Sequence, residues 1–341
     1  MATDTIVATF RDSVFVQNTA ANRGGIMLAQ QSNIYFTGCL FTRNAANIGG
    51  VLYIGDKSVV SFKNVKIHSN TANQGIMYFI DSNSVFSYDV NISNNLGSVL
   101  LYHSNATFKG RLFFFNCTYA SNKSNGTLQE GGALTAFQTT IIFEGTSIMM
   151  YNHAINGGAI HAIASKLIFY GPMMISNNTA KNNGGGIYIY QSELNCKLQS
   201  SLRLLGNCAT KNGGGIHSIS SIVTAEYELL FEENSKSKSR LEFVGNNAGI
   251  AGGGICLEVN AKIDIFILSE WDSVRKQHTL TFTGNSANYG GAVYVADSTN
   301  SGICASVSYK TYSATAECFI QVKTLQRAGE SPFKNLVFQH L

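Results

Sequence analysis

The chain has 341 residues, 45% of them hydrophobic and only 13% charged, with a formal net charge of +4. Ordinary domains carry roughly a quarter charged residues, so this chain spends its polar positions on turns: glycine and asparagine each number 33, and proline only 2. That balance excludes a Pro-rich disordered linker, and the absence of any basic stripe interleaved with aromatics excludes a nucleic-acid groove.

The opening Met1-Ala2-Thr3-Asp4-Thr5-Ile6 has no positive stretch followed by an apolar one, so no signal peptide is read, and no apolar run reaches a membrane-spanning length. Thr5 to Phe10 reads as a core strand. Ten similar segments follow, each centred on a glycine pair or its remnant, beginning with Gly24-Gly25-Ile26-Met27 and Gly49-Gly50-Val51-Leu52 and ending with Gly290-Gly291-Ala292-Val293. The second glycine falls at Gly25, Gly50, Gly75, Gly97, Gly132, Gly158, Gly185, Gly214, Gly253 and Gly291, at spacings of 22 to 39 residues. A fixed period in this range is the mark of a solenoid. Longer spacings are read as insertions into coils of about 25 residues, with loops near 116–130, 191–203, 225–241, 258–278 and 298–331.

Five to seven residues before that glycine stands Asn-x-Ala, at Asn18/Ala20, Asn44/Ala46, Asn70/Ala72, Asn152/Ala154, Asn178/Ala180, Asn207/Ala209, Asn246/Ala248 and Asn285/Ala287. Asparagine tolerates left-handed backbone and bonds to nearby backbone, so it suits a tight corner, and asparagines stacked coil on coil could bond to one another. After the glycines comes a strand with an always-aliphatic position (Met27, Leu52, Met77, Val99, Leu134, Ile160, Ile187, Ile216, Ile255, Val293) that must point inward. Short strands without a 10-residue amphipathic stretch cannot close βαβ units. The expected fold is therefore all-β: a right-handed, single-stranded parallel β-helix (β-solenoid) of about ten to twelve coils, one domain over residues 1–341.

Phe-x-x-Asn, seen at Phe15/Asn18, Phe41/Asn44, Phe113/Asn116, Phe243/Asn246 and Phe282/Asn285, combines with Gly157-Gly158-Ala159-Ile160. This pairing resembles the repeat of the chlamydial-type polymorphic outer-membrane proteins and related β-helix proteins, including animal ones. The resemblance implies a surface-displayed, adhesion-type solenoid. The C-terminal β-barrel of the bacterial members is not found, and Phe333 to Phe338 reads as the opening strand of a further coil. The chain is accordingly expected to be an excerpt, truncated at both ends, of a longer secreted or anchored protein, of eukaryotic type.

Seven cysteines form no CxxC pair, which argues against a zinc ribbon or a redox motif. Cys196 with Cys208 and Cys304 with Cys318 flank interruptions of the repeat and are candidate disulfides of an oxidising compartment. Glycosylation sequons stand at Asn91, Asn105, Asn116, Asn122, Asn125 and Asn177, five of them between 91 and 127, which favours a glycosylated surface segment.

Enzymatic β-helices place carboxylates with Lys or Arg on an outward strand face. Here the first outward column reads Leu28, Tyr53, Tyr78, Leu100, Thr135, His161, Tyr188, His217, Cys256, Tyr294. It has no carboxylate. Asp56, Asp81 and Asp297, further along, complete no catalytic set. His161, His217 and Cys256 are metal-ligand types, but Tyr188 separates His161 from the other two and no third ligand is evident. No catalytic residue, cofactor or metal is therefore expected. The aromatic run is either a stabilising ladder or a platform for sugars or a protein. The expected function is a non-enzymatic, extracellular or cell-surface module that binds a protein or glycan on a cell or matrix surface. The alternative is a carbohydrate-binding or polysaccharide-degrading β-helix.

Overall fold

A computed structural model describes residues 6–119, 131–198, 200–229, 240–269, 280–296, 302–309 and 315–318. Within them every regular element is a strand. The coil from Ile160 to Gly185 shows why the chain winds as it does. Ile160–Ile163 forms a first strand, Lys166–Phe169 a second, Pro172–Ser176 a third, and Thr179–Ala180 a short fourth. Each lies parallel to its counterpart one coil on: Ile160 pairs Ile187, Lys166 pairs Glu193, Met173 pairs Leu202, and Ala180 pairs Ala209. Stacking in strict register makes a parallel β-solenoid whose interior is a single apolar column.

Left-handed residues bend the chain at three corners. Ala164 turns it after the first strand, Asn177 after the third, and Gly184 before the next coil, with φ of 49°, 53° and 64°. The two glycines of the pair answer to different demands. Gly184 supplies the positive φ, whereas a Cβ on Gly185 would stand 2.4 Å from the carbonyl oxygen of Gly214 and 2.5 Å from the Cys208 carbonyl carbon. Gly185 is therefore a spacing requirement between coils, not a conformational one.

At the Asn corner the left-handed residue is the one before the asparagine (Gln17, Arg43, Ser69, Tyr151, Asn177), which corrects the expectation that the asparagine itself takes the strained backbone. Its side chain does the structural work instead. Asn178 is fully buried. Its Oδ1 accepts from both the backbone N–H and the Nδ2 of Asn152 at 2.9 Å, and its Nδ2 donates to Asn207 Oδ1 at 2.9 Å and to the Met149 carbonyl at 3.0 Å. All four hydrogen-bonding valences of the amide are thereby met. The same pattern runs Asn18–Asn44–Asn70–Asn95 and resumes Asn152–Asn178–Asn207–Asn246–Asn285. Asn95 is a rung absent from the sequence reading. Between the two runs stands Cys117, whose Sγ is 3.9 Å from Asn95 Nδ2 and whose N–H donates to Asn152 Oδ1 at 2.9 Å. Asn116, matched as Phe113/Asn116, is therefore out of register. Phe114 is the core residue paired with Met149, while exposed Asn116 points away and bonds Asn94.

A second ladder occupies the first corner: Ser165 Oγ donates to the Ile163 carbonyl at 2.7 Å and accepts the Thr139 N–H at 3.1 Å, while the Ser165 N–H passes to Ser192 Oγ at 3.0 Å. Inside, Phe10, Phe36, Phe62, Phe86, Phe108, Phe143 and Phe169 stack from coil to coil at centroid distances of 4.6–5.5 Å, within the range favoured by offset aromatic pairs. The alanine of Asn-x-Ala also points inward: Ala154, Ala180, Ala209 and Ala248 are buried at the narrow fourth side.

Ten strands stack on the side that follows the glycine pair, and about eight turns close, slightly fewer than the ten to twelve coils expected. The segment 191–203, read as an inserted loop, instead carries Glu193–Cys196 and Ser201–Leu205, because the coil needs both strands there to continue the sheet. Part of 225–241 and of 258–278 is likewise strand. Ile222–Leu229 pairs Lys262–Ser269, and that strand pairs Gly302–Tyr309, which also makes an antiparallel pairing with Thr315–Cys318. Residues 120–130, 230–239, 270–279, 297–301, 310–314 and 319–341 lie outside the described residues, and with them most of the remaining loop expectations, Asp297, and the strand read at 333–338.

Replacing Asn178 by Ala is expected to orphan the N–H and Nδ2 of Asn152 and to cost about 2–5 kcal/mol in urea unfolding, each buried orphan contributing about 1–3. Asn178→Asp, which sets a carboxylate oxygen against Asn207 Oδ1 and the Met149 carbonyl, should cost more than Ala. An Asp variant as stable as the wild type would show that the amide chain does not hold the coils in register.

Candidate functional site

The strand after the glycine pair presents two outward columns, and the first is not a free surface. Leu100, Thr135, His161, His217 and Cys256 expose 0–4% of their area, although they point away from the core. Two neighbours cover them. The glycine corner folds back over the column, as where the Gly131 N–H donates to Thr135 Oγ1 at 2.8 Å. The next coil also lies within van der Waals reach, since stacked strands are only about 4.8 Å apart. Tyr53 and Tyr78 stack at 5.3 Å with Arg23 over Tyr53, and Tyr188 lies between His161 and His217 at 4.9 and 5.5 Å. In this column the aromatic run is a packed ladder.

The second outward column is more open. Ile80, Tyr102, Phe137, Ile163, Tyr190 and Ile219 are each partly exposed and stand in register on six consecutive coils. Tyr102 and Phe137 stack at 4.8 Å. At about 4.8 Å per coil the strip is roughly 24 Å long. Glu258 follows Ile219 in the same column and ends the apolar run.

Where the two columns meet, three polar groups converge. His217 pairs with Cys256 in the ladder, and Glu258, two residues beyond Cys256, shares its face of the strand. His217 Nε2 is 3.3 Å from Glu258 Oε2, and Cys256 Sγ donates to Glu258 Oε1 at 3.4 Å. Asn212 Nδ2 also donates to Oε1, at 3.3 Å. Neither nitrogen of the buried His217 ring makes an aligned hydrogen bond among the described residues. The imidazole holds the Glu258 carboxyl below the usual carboxylate range, whereas burial pushes the Cys256 thiol far up, and burial with Glu258 nearby raises Tyr188. A Cys–His pair that attacks carbonyls needs a thiolate; here the environment opposes one. Sequence reasoning reached His217 and Cys256 but stopped short of Glu258, which it took for the start of a loop. The alternation His-x-x and Cys-x-Glu on paired strands was the available signal.

Other expected site residues are dispersed. Asp56 and Asp81 sit exposed at left-handed corners, with His103 3.5 Å from Asp81. Of the sequon asparagines, Asn105, Asn116 and Asn177 are exposed and Asn91 partly so; Asn122 and Asn125 lie outside the described residues. Cys196 and Cys208 are free thiols, which corrects the disulfide expectation. Cys196 takes the place of the next phenylalanine in the stack, paired with Phe169 and buried in the core, while Cys208 stands on the outer side of the fourth strand beside Thr179. Burial raises the Cys117 and Cys196 thiols to about 11 and about 12. The side chains of Cys304 and Cys318 lie outside the described residues. Among the described residues no helix is long and apolar enough to cross a membrane.

The family model described as the Chlamydia polymorphic membrane protein repeat matches residues 172–190 and 279–296. The first match runs from the third strand of one coil through Asn178 and Gly184-Gly185 into Ile187–Tyr190, so it spans the amide ladder and the glycine corner together. No curated protein and no solved structure matches the chain.

Thiol labelling of the native chain followed by peptide mapping should modify Cys208 quickly and leave Cys196 and Cys117 protected until the solenoid unfolds. Recovery of a Cys196–Cys208 disulfide-linked peptide would contradict this placement.

Proposed function

We propose that this chain, whose coils carry repeats of the Chlamydia polymorphic membrane protein type, is a non-enzymatic, adhesin-like module displayed at a cell surface. The observation that carries the reading is the partly exposed strip from Ile80 to Ile219. Six apolar side chains aligned on a rigid stack form a flat contact surface that loses no backbone entropy on binding, the economy expected of a preformed interface. Its aromatic members, Tyr102, Phe137 and Tyr190, suit either an apolar protein patch or the face of a sugar ring. Asp56 and Asp81, exposed at the same corner of consecutive coils, line no cleft in the strip, which supports a binding role for it over a hydrolytic one.

Binding of the purified chain to arrays of cell-surface proteins and glycans tests this, with Tyr102→Ser/Tyr190→Ser as the comparison. The double variant is expected to fold and to lose at least about tenfold in affinity for whatever the wild type binds, since truncating two aromatic anchors costs 1.4 kcal/mol or more. Undiminished binding would place the contact surface elsewhere on the rod. Turnover of a polysaccharide that is lost in an Asp56 or Asp81 variant would replace the adhesin reading with the carbohydrate-active one.

A further inference from the structure

We propose that His217, Cys256 and Glu258 form a binding site for a divalent transition-metal cation of the zinc class on the outer side of the solenoid. The site is independent of the adhesin reading and would stand if that reading fell. One nitrogen, one sulfur and one oxygen donor lie within 4.8 Å of one another, and this mixed, borderline-soft set is the kind that zinc, cobalt and copper take in preference to calcium or magnesium.

The spacing is near that of a small tetrahedral ion. Metal–sulfur bonds of about 2.3 Å and metal–nitrogen or metal–oxygen bonds of about 2.0 Å, at tetrahedral angles, set donor atoms roughly 3.3–3.5 Å apart. His217 Nε2 is 3.3 Å from Glu258 Oε2 and Cys256 Sγ is 3.4 Å from Oε1, and the three donors lie within 4.8 Å of one another, so a small turn of the partly exposed carboxylate brings one oxygen to face both. The site is also built on rigid elements: His217 and Cys256 are held on adjacent rungs of a ten-stranded sheet, 2% and 0% exposed. His217 supplies an independent sign of a missing partner, because this buried imidazole makes no aligned hydrogen bond at either ring nitrogen and its Nε2 meets only the Glu258 carboxylate, 3.3 Å away. Leaving such a group unmet carries a cost that coordination would remove.

Charge closes in the same way. A neutral imidazole, a thiolate and a carboxylate sum to two negative charges, so a divalent ion makes the buried cluster neutral, as a low-dielectric setting demands. Binding moves the Cys256 Sγ proton to solvent as the metal–sulfur bond forms, with no change of oxidation state. Asn212 Nδ2, 3.3 Å from Glu258 Oε1, orients the carboxylate in the manner of an outer-shell partner. Glu258 is one-quarter exposed, so the fourth coordination position opens towards solvent.

Cobalt(II) titration of the reduced, chelator-treated 341-residue chain tests the proposal, monitored by the near-ultraviolet sulfur-to-cobalt charge-transfer band and by calorimetry with zinc. One equivalent should bind with that band. Cys256→Ser should abolish the band, Glu258→Gln should weaken binding about tenfold or more, and Cys208→Ser should change neither. Because Glu258 is partly exposed, its Gln variant is expected to fold, and circular dichroism verifies this. Zinc should raise the melting temperature of the wild type and not that of the Gln variant. No stoichiometric binding by the wild type, or an unchanged band in Cys256→Ser, overturns the site.

Discussion

Everything in this rod depends on one constraint: each coil must repeat its predecessor closely enough that a buried amide can donate to an identical amide one strand spacing away. The asparagine chain satisfies it with no valence left over. An asparagine can do this because it carries donors and an acceptor on one planar group, whereas serine at the first corner must send its proton back to its own strand and receive from the neighbouring backbone. The two ladders therefore pin different corners by different means. The glycine pair then fixes the third by letting backbones approach to distances that no side chain would survive. With three corners pinned, the strands between them keep register, apart from an irregularity between Ser87 and Val90, and the phenylalanines fall into a continuous stack.

How much of this was legible follows from which positions tolerate only one residue type. The second glycine, the ladder asparagine and the inward alanine are chosen by close backbone approach, by four hydrogen bonds and by lack of room, and each is visible in the sequence. The serine corner was not, because its strained neighbours run from Gln31, Gln138 and Gln191 to Lys57, Asp81, His103, Ala164 and Ser220, too mixed a set for a pattern to reveal. Cys117 hid a rung by substituting a thiol, and Asn116 beside it offered a false match. One expected loop is instructive: 191–203 was read as an insertion because Cys196 and polar neighbours interrupt the apolar pattern, yet the cysteine merely stands where a phenylalanine stood.

Direction and exposure also came apart. Alternation along a strand gives the direction of a side chain, and on that point the sequence was a fair guide. It says nothing about what the glycine corner and the adjacent coil lay over that side chain. His217 and Cys256 point outward and are nonetheless buried, and this combination gives the outer side of the rod a low-dielectric pocket that an exposed column would lack. Glu258 entered that pocket unannounced because its partner set is made by the pairing of strands 39 residues apart in sequence.

The change from Asn95 to Cys117 has a mechanical meaning. Hydrogen bonds between coils lie along the rod, so a pull on its two ends loads them in series. A chain loaded in series yields at its weakest link. At the seven asparagine–asparagine rungs between Asn18 and Asn285 an amide grips an amide at 2.9 or 3.0 Å; here it meets a sulfur at 3.9 Å, and Asn152 beyond is reached only by the Cys117 backbone N–H. A rod built this way has a designated parting plane, and stretching single molecules should find the first rupture between those two coils, with the stack on either side still wound.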